Sequence, residues 1–361
     1  MTISRKLMSR TPATGGGGIS GPYLFVGVRV GDGIAVIDVN NPASSFSIET
    51  TLFDSTNLNA TDYVAANSTD KILYAKGSAS MSTVDISDPT SISLLSTHSS
   101  GARFDPDRVL LYDATNEVTL TFGGTTATNI GLDIIDVSNP NDIVAGSVSN
   151  YQTSVIGGAN QGKALSFRNS NEVLFGETSL YGFDYSNYTS NSYSTFTSLS
   201  SNVGSIGTYT SGAWDGSTYY YYSSGTSVTQ IDYSNTSSPS SNGSYTPVAS
   251  ASLDDIALDA TNSVIYTYDR NGHTLYSIDT TATWSNGAGN NNLDSLSTTF
   301  TNEGVCMLTL SDDLNTLYMT CDTDARVTAF DVSDPSNMSQ LATLKDTTNL
   351  NGARTCVEVT Y

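Results

Sequence analysis

The chain has 361 residues, with 14 Lys and Arg against 35 Asp and Glu and a formal net charge of −21. Such acidity excludes a nucleic-acid binder, whose partner demands a basic face, and disfavours docking on anionic lipid. Ser, Thr, Asn, Gly and Tyr abound, only 14% of residues are charged, and no run approaches the ~18 apolar residues of a membrane-spanning helix, so the composition predicts an all-β chain without membrane insertion.

The first residues, Met1-Thr-Ile-Ser-Arg-Lys-Leu-Met-Ser-Arg10, are basic but lack the apolar stretch of a secretory signal. They run through Thr11-Pro-Ala-Thr into Gly15-Gly-Gly-Gly18, a flexible linker composition. Residues 1–22 are therefore expected to form a flexible arm, with Arg5, Lys6 and Arg10 as its docking charges.

Residues 23–361 carry a repeat. One pattern recurs seven times: an apolar residue, two variable ones, another apolar residue, then Asp and usually a β-former. Its acids are Asp38, Asp85, Asp136, Asp184, Asp232, Asp279 and Asp331, spaced by 47, 51, 48, 48, 47 and 52 residues. In an all-β chain a period near ~50 indicates propeller blades of four strands, so the expected fold is a seven-bladed β-propeller. The last unit divides cleanly into Val305–Leu310, Thr316–Thr320, the Asp-bearing third strand and Gln340–Leu344. The first unit starts at its second strand, Tyr23–Val28, whereas Thr355–Tyr361 reads as an innermost strand with nothing after it. The C-terminal strand should therefore complete the first blade, pairing Val357 with Phe25, because closure removes the open edges of the outermost sheets.

The third strand and its turn read Asp38-Val-Asn-Asn-Pro42, Asp85-Ile-Ser-Asp-Pro89, Asp136-Val-Ser-Asn-Pro140 and Asp331-Val-Ser-Asp-Pro335; units four to six lack the proline. This form resembles the LVIVD-repeat propellers of bacterial and archaeal surface proteins and some phage proteins. That resemblance implies a fold and no shared activity. The opening MTISRKLM with its Gly-rich sequel also resembles the start of marine tailed-phage structural proteins. It implies an arm that docks on other virion proteins.

Candidate chemistry is sparse. The repeated Asp residues stand one per blade, as turn-capping side chains would. Asp62, Asp107, Asp255 and Glu303 precede or open innermost strands, which converge on one mouth of the central channel. There they could gather around a hard cation such as calcium or simply be solvated. The two histidines, His98 and His273, lie on different blades, and neither neighbours a nucleophile motif. Asp105 with Asp107, and Asp254 with Asp255, are the acid pairs a glycoside hydrolase would need. Tyr219–Tyr222 should fill gaps between blades, whereas Trp214 and Trp284 near loops could stack on sugars. Cys306, Cys321 and Cys356 are an odd, sparse set that makes no disulfide framework, have no metal-ligand spacing and read as small buried residues.

The sequence thus assigns no catalytic residue, metal or cofactor. It leads to the expectation of a non-enzymatic virion protein of a tailed phage, a rigid platform contacting other virion proteins and a host-surface glycan or protein. The alternative is a bacterial cell-surface propeller that binds glycan or protein, or hydrolyses its ligand with carboxylates.

Overall fold

The computed structural model describes residues 20–78, 80–99, 109–126, 129–143, 149–153, 164–169, 171–176, 180–186, 197–198, 211–284, 291–301 and 303–361. Arg5, Lys6, Arg10, Asp105 and Asp107 lie outside them. The described strands form seven four-stranded antiparallel sheets. The innermost strands are Ala353–Thr360, Tyr63–Asn67, Leu110–Asp113, Ala164–Asn169, Ser211–Trp214, Leu253–Asp259 and Cys306–Leu310, in blades one to seven. Each touches the next, and the seventh touches the first. This is the seven-bladed propeller that the spacing predicts.

The first blade is built from both ends of the propeller sequence. Pro22–Val28 pairs with Gly33–Asn41 on one side and with Ala353–Thr360 on the other. Phe25 lies opposite Val357, as the closure argument requires.

Strand alternation explains how the ring coheres. Successive residues point to opposite faces of a sheet, so each blade presents one apolar row to each neighbour. Among the described residues the buried apolar side chains fall into seven clusters, one per seam. Leu24 and Val26 pack on Tyr318, Val327 and Ala329 of blade seven, whereas Tyr23 and Phe25 pack on Val64, Leu73 and Val84 of blade two. The four consecutive tyrosines obey the same rule. Tyr220 and Tyr222 join Leu174 and Leu180 of blade four, and Tyr221 joins Leu253, Ile256 and Ile265 of blade six. Trp284 is buried in that second seam and Trp214 packs edge-on against Tyr233. Both tryptophans therefore contribute to packing between blades.

The repeated Asp is a turn device in every blade. Asp38, Asp85, Asp136, Asp184, Asp232, Asp279 and Asp331 each accept the backbone N–H two residues on, at 2.7–3.0 Å. Units four to six make the bond without the proline, so the carboxylate sets the turn and the proline is dispensable. A second device, Asp-x-Thr-Asn, appears at Asp54, Asp113, Asp259 and Asp346, where Asp caps the amide three residues on and binds the Asn side chain.

Candidate functional site

Antiparallel order puts three kinds of segment on one face of the disc: the start of each innermost strand, the connection leading into it, and the turn between second and third strands. Asp62, Asp254, Asp255 and Glu303 lie on this face, and each has partners of its own.

Asp62 is sandwiched between arginines of the first blade. Its Oδ1 is 3.6 Å from Nε of Arg354 and 3.6 Å from Nε of Arg29. Arg354 also reaches Asp322 of blade seven at 3.1 Å. The strand that closes the ring thus carries a guanidinium held by a carboxylate from the blade on either side. Deprived of one partner, a largely buried charge of this kind would be left costly and uncompensated.

Asp254 and Asp255 lie at an irregularity in the pairing of Leu253–Asp259 with Val264–Asp269, between Leu253 and Ile256. The irregular register lets adjacent carboxylates reach the same neighbouring strand. Asp254 accepts the Cys306 N–H at 3.1 Å and faces Arg270 at 3.3 Å. Asp255 accepts the amides of Leu308 and Ile256, each at 2.8 Å, with Ser211 as a further donor. Burial pushes its pKa up to about 6 even against these hydrogen bonds, which pull the other way, and the Asp254 charge adds to the rise. These carboxylates stitch blade six to blade seven.

Glu303 has a different role from its expected place in a carboxylate ring. Its side chain is 1% exposed, and Oε1 accepts Tyr268 Oη at 2.7 Å and lies 2.9 Å from His273 Nδ1. A carboxylate partner favours the tautomer that donates from Nδ1, which in a neutral ring leaves Nε2 as the acceptor. The His273 side chain is 40% exposed. A buried carboxylate therefore orients an accessible imidazole. The neighbouring backbone holds Arg270, whose Nη1 donates to the Gly304 carbonyl at 2.8 Å and whose Nη2 meets Ser252 Oγ at 3.0 Å. Consecutive residues Glu303 and Gly304 thus anchor His273 and Arg270, the two ends of one tight turn.

His273 has φ of +50°, in the left-handed region. Asp32 and Ala325 occupy the matching turns of blades one and seven with φ of 54° and 48°. The backbone conformation belongs to the turn, and a histidine placed there is particular to blade six. The pairing with Glu303 escaped the sequence because the residues are 30 apart. Propeller periodicity was the available signal, since a second-to-third-strand turn abuts the connection entering the next blade. Among the described residues no three His, Cys, Asp or Glu side chains converge as metal ligands do.

The LVIVD repeat model matches residues 18–50, 75–99 and 127–152. No curated protein matches the chain in sequence. Among solved structures, the periplasmic gluconolactonase of Pseudomonas aeruginosa is similar with a TM-score of 0.71 and 9% identity over 94% of this chain and 99% of that one. Apo AztD of Citrobacter koseri gives 0.63 and 9% over 95% and 99%. A protein from Lactobacillus plantarum gives 0.68 and 12% over 94% and 100%. At such identities the likeness is one of fold. It nevertheless corrects the expectation of a non-enzymatic chain, because a gluconolactonase, an enzyme, is built on the same architecture, and a missing sequence motif is no argument for missing activity. The virion reading gains nothing from these likenesses.

Proposed function

We propose that the chain is a hydrolase of small carboxylic esters, with the lactone of a sugar acid as the substrate class, working from the face that carries His273. The observation that carries this reading is the accessible imidazole of His273 held by the buried carboxylate of Glu303. A carboxylate that fixes the tautomer of a histidine leaves Nε2 ready to take a proton from water. The water oxygen then adds to the ester carbonyl, the ring C–O bond breaks, and the proton held by Nε2 passes to the leaving alkoxide. A lactone plus water gives one hydroxy acid. Arg270, at the other end of the same turn, is held by Asp254, the Gly304 carbonyl and Ser252, and so helps to fix the turn that presents His273. The gluconolactonase neighbour suggests the substrate class, and a bacterial surface or envelope setting accords with the LVIVD repeats. The virion setting needs residues 1–22 as its docking arm; deletion of that arm, read as loss of particle assembly, tests it separately.

The test is hydrolysis of δ-gluconolactone and related aldonolactones, followed by proton release above the buffer background. The variants are His273→Asn, which tolerates the left-handed backbone, and Glu303→Gln. Loss of a general base removes about 10²–10⁴-fold in rate, so His273→Asn is expected to fall to background while retaining the fold by circular dichroism. A wild-type protein with no rate above background across the panel, or a His273→Asn variant as active as wild type, would sink the proposal.

A further inference from the structure

We propose that Cys306 and Cys321 form an intramolecular disulfide that staples the innermost hairpin of blade seven, leaving Cys356 as the single thiol. This is independent of the hydrolase reading. The two residues stand directly opposite each other in the antiparallel pairing of Cys306–Leu310 with Thr316–Cys321. Opposed residues of such a pair have Cα atoms about 4.5 or about 5.5 Å apart, within the ~4.4–6.8 Å span that a disulfide bridges. Their sulfurs already face each other at 2.7 Å, and both side chains point into the apolar seam between blades six and seven. Cys356 lies in the other seam, between blades seven and one, so its sulfur points away from the pair. The pairing is thus fixed by strand alternation.

Burial and the facing thiol push the Cys306 pKa well above its ordinary value, and the folded protein shields both sulfurs at 1% and 0% exposure. Oxidation therefore belongs to folding, before the seam is sealed. With a small-molecule disulfide such as oxidised glutathione, the thiolate of Cys306 attacks one sulfur and releases one glutathione thiolate. The thiolate of Cys321 then attacks the Cys306 sulfur of the mixed disulfide and releases the second. Two protein thiols lose two protons and two electrons, and one glutathione disulfide becomes two thiols. Such a bond persists in oxidising surroundings, so the proposal carries a compartment with it, the envelope or the exterior in place of the reducing cytosol.

The experiment refolds the full chain in glutathione buffers from fully reduced to strongly oxidising, then denatures it in excess iodoacetamide and weighs it. The expected result is three alkylated cysteines from the reduced buffer and one from the oxidised buffer, with a peptide map linking Cys306 to Cys321 and the label on Cys356. Cys356→Ser should keep the linkage, and Cys306→Ser should abolish it. Three alkylations at every glutathione ratio, or a linked peptide containing Cys356, would overturn the proposal. Because the wild-type masses decide the matter, the outcome does not depend on any variant folding.

Discussion

Asp255 offers a stability effect whose size and sign follow from its position. The carboxyl is 8% exposed, and its pKa in the folded protein is raised from 3.8 to about 6, by burial first. A group with a raised folded pKa holds its proton more tightly in the native state than in the unfolded chain. Below about pH 4 it is protonated in both states and its contribution is full. Between about pH 4 and 6 the unfolded chain ionises it while the native protein resists, so stability falls as pH rises. A rise of about two units at ~1.4 kcal/mol each gives a loss approaching 3 kcal/mol.

The probe is Asp255→Asn, which cannot titrate. Its amide would set an N–H against the N–H of Leu308 or Ile256, a constant penalty of about 1–3 kcal/mol. Urea unfolding of both proteins at intervals from pH 4 to 8 supplies the free-energy difference between them, which cancels the titration of the other acids. The wild-type advantage should shrink by up to about 3 kcal/mol across that range, most steeply between about pH 4 and 6. A difference that stays constant over the whole range would refute the reasoning.

Ring closure predicts that deletion of residues 352–361 yields no soluble monomer, because the edge of Pro22–Val28 and the apolar rows facing blades two and seven are laid open. Size-exclusion chromatography reads this, and a monomer as heat-stable as the full chain would contradict the fold argument. The turn role of the repeated acid predicts that Asp331→Ala lowers unfolding free energy by about 1 kcal/mol, the worth of one hydrogen bond, whereas Asp331→Asn, which keeps an acceptor for the Ser333 amide, loses less; equal losses would speak against an acceptor role.

The period of the Asp-bearing strand was legible because each copy answers the same local demand, an acceptor for the amide two residues on. Alternation along Tyr219–Tyr222 was legible for a similar reason: neighbouring side chains on a strand must face opposite ways. Closure could be read from the ends because an unpaired innermost strand at the C-terminus and a missing one at the start leave a single arrangement without open edges. Such features depend on the chain within a blade or on the count of blades.

The site depended on contacts between blades. Asp62, Asp255 and Glu303 look alike in the sequence, each near the start of an innermost strand, yet their partners set them apart. Two arginines of the ring-closing blade flank Asp62, the Leu308 amide of the next blade and the adjacent Ile256 amide bind Asp255, and Glu303 bonds to a tyrosine and a histidine of the preceding blade. By itself the sequence determined the number of blades, their strand order and the closure of the ring, since these follow from local periodicity and the pairing of backbone groups. Only the tertiary structure decided which carboxylate is structural and which orients an imidazole, because that assignment lies in side chains dozens of positions apart that are brought to 2.9 and 3.6 Å across seams.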